Sequence, residues 1–127
     1  MLITIKLKPL SEVKAEKIAQ IEAAYSTAMQ QDVSYMGTTF QTDTASQDIL
    51  TKTLVTLNAT GSVPAAFWWR DANNNNVAMS LAELNGLAGA MLNQGWAAFQ
   101  TRVARKDAVT AATSTAEVDA VAPAQVV

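Results

Sequence analysis

The sequence predicts an α+β domain in which a small antiparallel sheet packs against three to four helices. Apolar residues recur at helical spacing in stretches that open near Ser11, Thr44 and Ser80, which sets the helices. Short runs rich in aromatic and β-branched residues lie between them, broken by Gly37 and by four consecutive asparagines, Asn73 to Asn76. Ser/Thr-x-x-Glu/Gln boxes then mark helix starts. With 127 residues the chain has room for one such core. Of its residues 50% are hydrophobic, but much of that share is alanine, so the core rests on fewer large side chains than the figure suggests.

The segment from Leu2 to Lys8 places Ile3, Ile5 and Leu7 on one face at period two and predicts a strand that Pro9 ends. It is read as an internal edge strand, with pairing to a neighbouring chain as the alternative. From Ser11, taken as N-cap, to about Gln31 a helix is expected, with Val13, Ile18, Ile21, Tyr25, Ala28 and Met29 on its apolar stripe. Residues 1–31 thus form a strand and helix that could attach the chain to a larger assembly, residues 32–121 a compact α+β domain, and residues 122–127 a flexible tail.

Asp32 to Thr42 predicts a hairpin turning at Gly37. Thr44 and Gln47 form a capping box that opens a second helix, whose stripe is Ile49, Leu50, Leu54 and Leu57 and whose end is Gly61. Ala66–Arg70 and Val77–Met79 predict two strands joined by Asp71–Asn76, since asparagine tolerates left-handed backbone and bonds its own main chain. Ser80 and Glu83 box the longest helix, with Leu84, Leu87, Ala88, Met91, Leu92, Trp96, Phe99 and Val103 as its stripe. Gly86, Gly89 and Gly95 weaken that helix and so are expected to mark close approach to a neighbouring element. A box at Ser114 and Glu117 opens a last short helix before Pro123.

The chain has no cysteine and no histidine, which removes disulfides, thiolate nucleophiles, the commonest general base and the commonest zinc ligands. No catalytic residue, cofactor site or metal site is assigned. Asp71, Asn73 and Asn75 match the first spacings of a calcium loop, but Asn76 stands where the glycine is required and Ala82 where the bidentate glutamate belongs. Asp43 and Asp48 read as helix-end electrostatics rather than an acid pair. A net charge of −2, with Arg102, Arg105 and Lys106 the one basic cluster, argues against nucleic acid. No stretch is apolar for long enough to cross a membrane, and the first residues lack a signal-peptide core.

Successive strand residues point to opposite faces, so of Trp68 and Trp69 one is expected in the core and the other partly exposed, as an anchor for a partner protein or a sugar. Ile3 and Ile5 on the first strand, and Ile18, Ile21 and Tyr25 on the first helix, complete the candidate partner-binding residues.

Tyr35, Gly37, Phe40, Thr42 and Asp43, then Trp68, Val77, Met79, Ser80 and Leu84, and finally Glu117, follow an order that resembles a phage domain of unknown function. That domain occurs in small proteins encoded beside tail-fibre genes and in tail-fibre assembly proteins; the likeness runs from about Val33 to Val121. The resemblance implies a non-enzymatic virion tail or tail-fibre-associated structural protein, assembled in the host cytoplasm, whose partners are other tail or fibre proteins or further copies of itself. The alternatives are an assembly chaperone absent from the finished particle and a carbohydrate-binding tip module.

Overall fold

A computed structural model describes residues 7–123 and shows an α+β fold. The order is α1 (Leu10–Ala28), β1 (Val33–Tyr35), β2 (Thr38–Phe40), α2 (Thr44–Thr60), β3 (Trp68–Arg70), β4 (Asn76–Ala78), α3 (Leu81–Ala111) and α4 (Thr115–Asp119). The strands make two separate antiparallel hairpins, β1 with β2 and β3 with β4. The strand expected over Leu2–Lys8 falls mostly outside the described residues, and so do Ile3 and Ile5.

Within the described residues two compact units form. One combines the chain up to Ser26 with the chain from Phe99 onward; the other is Thr27–Ala98. The first has a core of Ile21, Val109, Ala112 and Val118, with Leu10, Val13, Ile18 and Val121 packed on it. The second is built on Val33, Phe40, Leu50, Met79, Leu84, Leu87 and Met91, with Tyr35, Leu54, Leu57, Phe67, Trp69 and Val77 around them.

In the second unit the β1–β2 turn is made by Met36 and Gly37, both left-handed at φ 55° and 74°. This is the two-residue turn that matches strand twist, and glycine takes its second position without steric cost. The register sets Val33 opposite Phe40 and Tyr35 opposite Thr38, which turns Val33 and Phe40 into the core.

Three helix ends are built differently from their sequence expectations. The Pro9 carbonyl accepts from the amides of Glu12 and Val13, so α1 begins before Ser11, which lies inside the first turn instead of capping it. The Thr44–Gln47 box does not form. Asp43 is the N-cap without a side-chain bond, the Thr44 amide donates to Gln30 Oε1 at 3.1 Å, and Gln47 Nε2 donates to the Thr42 carbonyl at 2.6 Å. Donors next to the helix are thus satisfied by residues close in space, which replace the local box. At Ser114 half a box forms: Ser114 Oγ accepts from the Glu117 amide, while the Glu117 carboxylate turns to the amide and hydroxyl of Thr113. The Ser80–Glu83 box is complete, with both reciprocal bonds present at 2.9 and 3.1 Å. Gly61 ends α2 in the left-handed conformation and donates to the Leu57 carbonyl.

The stripe assigned to α3 is buried only in its first half. Leu84 and Leu87 are inaccessible, whereas Leu92 and Trp96 are 71% and 56% exposed and Phe99 and Val103 also reach the surface. A helix of 31 residues outruns the core of the unit it starts in, so apolar spacing along it ceases to report burial. Ile49 likewise leaves the expected stripe of α2 and is exposed.

Of the three glycines in α3, only Gly86 marks a close approach. A methyl group there would come within 1.9 Å of the Tyr35 hydroxyl oxygen, while Gly89 and Gly95 have nothing within 4 Å. Gly86→Ala must displace the Tyr35 ring, and a loss of about 1–3 kcal/mol is expected. Gly89→Ala meets no neighbour and should gain up to about 1 kcal/mol from helix propensity. Urea unfolding of the two variants checks this; equal stabilities would contradict the close-approach reading.

Candidate functional site

The β3–β4 hairpin carries the candidate site. Its register pairs Trp68 with Ala78, Trp69 with Val77 and Arg70 with Asn76. Alternation along β3 then separates the tryptophans: Trp69 packs on the core of the second unit, and Trp68 stands 47% exposed. The Arg70 guanidinium lies over the Trp68 ring, 5.5 Å from its centroid, as expected for two residues two apart on the same strand face.

Beside β3 runs a groove of ≈ 380 Å³. One wall is the continuous run Phe67 to Asp71, and the other is the α2 face formed by Ser46, Ile49 and Thr53; Gln41 and Asn74 also line it. It therefore combines an exposed indole, an exposed isoleucine, the Arg70 cation, the Asp71 carboxylate and several amide or hydroxyl groups.

The turn that fixes the end of this groove is organised by Asp71. Asn74 sits in the left-handed region at φ 62°, and its amide donates to the Asp71 carbonyl at 3.2 Å. Oδ1 of Asp71 accepts from the amides of Asn73 and Asn75 at 2.9 and 2.8 Å, and Oδ2 accepts from the Thr38 hydroxyl at 3.3 Å. The Asn75 amide leads in holding this carboxyl below its ordinary range, with Asn73 and Thr38 adding to it; burial works in the opposite direction. The side chain that looked like the first ligand of a calcium loop is thus engaged by the loop's own donors. Among the described residues no group of three acids, histidines or cysteines could hold a metal.

The remaining candidate residues belong to the other unit. Ile21 is 1% exposed and lies in its core, which corrects its assignment as a partner contact: no surface of it is available. Ile18 is half-buried against the same core. Tyr25 is engaged within the unit, edge-on to Phe99 at 6.4 Å between centroids and with Arg102 at 5.0 Å from its ring. Arg102 and Lys106, two members of the basic cluster, both bond Glu22, at 3.0 and 2.9 Å. The Lys106 ammonium first and the Arg102 guanidinium second hold the Glu22 carboxyl below its usual range. Ile49, Arg70 and Gln41, which shape the groove, were not singled out by spacing. Ile49 fits a core stripe, and the others are ordinary polar residues until the fold brings them together.

The family described as "Domain of unknown function (DUF4376)" matches residues 12–122, and the chain belongs to it. The match takes in nearly all of α1 as well as the residues from Val33 onward that carry the resemblance. No curated protein matches the chain, and no solved structure does.

Because the Asp71 pKa is lowered by folding, its contribution to stability is present above the ordinary aspartate range and is lost as pH falls through the folded value. Asp71→Asn should unfold at a lower temperature than the parent at pH 7, and that gap should close as pH drops below about 4. Asp71→Ala should melt lower still at pH 7, since it also removes the acceptor for the Asn73 and Asn75 amides. Thermal melts from pH 7 to pH 3 test this, and a gap between parent and Asp71→Asn that does not depend on pH would rule out the charge as its source.

Proposed function

We propose that this member of the family is a non-enzymatic phage tail or tail-fibre-associated structural protein that binds other tail subunits through the surface carrying Trp68. The phage setting rests on the resemblance in the order of caps, turns and aromatic positions from Tyr35 to Glu117. The binding surface rests on one observation, the half-exposed Trp68 under Arg70 at the lip of a groove. Tryptophan and arginine are among the residues most enriched where partner binding energy concentrates, and a groove lined by both apolar and polar side chains suits such an anchor. Location in the virion tail, after assembly in the host cytoplasm, follows from the same reading.

A sugar-binding tip fits less well. Carbohydrate stacking would be confined to the one face of the Trp68 ring that Arg70 does not cover.

Quantitative mass spectrometry of purified particles from a phage encoding this chain tests the proposal. The chain should be present in fixed ratio to known tail proteins, and Trp68→Ala should lower its incorporation by about tenfold or more, as expected for an interface anchor. Absence from the particles, combined with a fall in particle yield when the gene is removed, would replace this reading with an assembly chaperone.

A further inference from the structure

We infer that the groove beside β3 receives an extended peptide strand carrying a carboxylate, which adds to the free edge of β3 as a third strand and sets its acid against Arg70. The inference rests on the Trp68 surface being a partner-binding one and names the partner's chemistry.

The edge is defined by hydrogen bonding. The Met79 amide donates to the Phe67 carbonyl at 3.3 Å, the Asp71 amide donates to the Asn75 carbonyl at 2.9 Å, and Trp69 lies opposite Val77 between them. Bonded pairs alternate along an antiparallel ladder, so Phe67, Trp69 and Asp71 direct their backbone groups toward β4. Trp68 and Arg70 therefore direct theirs to the other side, where no strand is paired with β3; β2 is bonded only beyond the end of β3, where the Ala72 amide donates to the Thr39 carbonyl at 2.8 Å. Among the described residues no other segment bonds these groups.

The groove lies along this same edge. Side chains of consecutive residues leave a strand on opposite faces, so a space touching every residue from Phe67 to Asp71 follows the strand margin and not one face of the hairpin. Its far wall, Ser46, Ile49 and Thr53, falls on one face of α2 at i, i+3 and i+7. A backbone that needs partners on one side and a helix face carrying an exposed isoleucine on the other make a slot for an extended chain.

Charge selects the occupant. Arg70 is exposed, and among the described residues no carboxylate lies within ion-pair distance of it. Its sequence neighbour Asp71 is engaged by Asn73, Asn75 and Thr38. An added strand would pair one residue with Arg70 and, two positions along on the same face, another with Trp68. The sequence it favours is therefore an acid, any residue, then an aromatic or β-branched side chain, read in either direction. A second copy of this chain pairing through β3 would set Arg70 opposite Trp68 and supply no acid, which leaves both cations without a counter-charge.

Selection from a random library of about twelve-residue displayed peptides on the immobilised full-length chain tests the inference, followed by fluorescence anisotropy with the strongest peptide. Enriched peptides should carry Asp or Glu two positions from an aromatic or β-branched residue. Arg70→Gln should weaken binding by about tenfold or more, and Arg70→Glu should redirect selection to Lys or Arg. N-methylation of the peptide amides that face β3 should cost a similar factor, and the Trp68 and Arg70 amides should exchange more slowly with solvent in the complex.

The inference is overturned by any of four results: no enrichment, enrichment indifferent to Arg70→Glu in a variant whose circular dichroism is unchanged, binding insensitive to N-methylation, or dimerisation through β3 in light scattering. Glycan-array binding that depends on Trp68, without peptide capture, overturns it as well. Incorporation into particles that needs Trp68, together with no peptide capture, sinks this inference alone. Peptide capture by a chain missing from particles sinks the tail reading and keeps the slot.

Discussion

The Asp71 carboxylate joins the two hairpins at the corner from which the groove opens. Between β3 and β4 the chain must reverse direction over residues that are nearly all polar, and one of them, Asn74, sits in left-handed backbone. Without an internal acceptor, the amides of Asn73 and Asn75 would have to find water at a half-enclosed corner. Oδ1 takes both, Oδ2 takes the Thr38 hydroxyl, and the Ala72 amide donates to the Thr39 carbonyl at 2.8 Å. Gln41 follows β2 directly and Asn74 belongs to the turn, so two lining residues of the groove are placed by this one tie. Burial of the carboxylate disfavours its charge, and the donors converging on it more than offset that.

How far the sequence revealed this depends on the range of the interactions concerned. Local geometry was legible. Ser80 and Glu83 close their box because both partners lie within one helical turn, Gly61 ends α2 because its left-handed conformation is cheapest for glycine, and Gly37 turns the first hairpin for the same reason. The Thr44–Gln47 box looked equally sound and does not form, because Gln30, distant in sequence, reaches the Thr44 amide and Gln47 finds the Thr42 carbonyl. Periodicity tells which face of a helix is apolar but not where along its length a core ends, which is why Leu92, Trp96 and Ile49 keep the spacing of a core stripe and yet are exposed.

The candidate site shows the same boundary. That one tryptophan of an adjacent pair must leave the core follows from strand alternation alone. That it is Trp68 depends on the register with β4, which the sequence does not print. Ile21 failed as a contact for the converse reason: its helical stripe was recognised, but the residues that cover it, Val109, Ala112 and Val118, lie some ninety positions away. The role of Asp71 was also half visible. Its spacing to Asn73 and Asn75 is that of a ligand pattern, and the same spacing places it to accept those residues' amides.

An unpaired strand edge is ordinarily a hazard, because it invites any extended chain to pair with it. Here β3 is only three residues long, and it presents a cation and an indole instead of a flat aliphatic row. Both features weaken indiscriminate pairing: a short edge offers few hydrogen bonds, and Arg70 repels a basic strand while it rewards an acidic one. The β1–β2 hairpin is equally short, yet it turns Val33 and Phe40 into the core, and its end at Thr38 and Thr39 is tied to the Asp71 corner. On the proposed reading recognition falls to β3, where the same Arg70 that guards the edge would also supply the charge that a partner strand must answer.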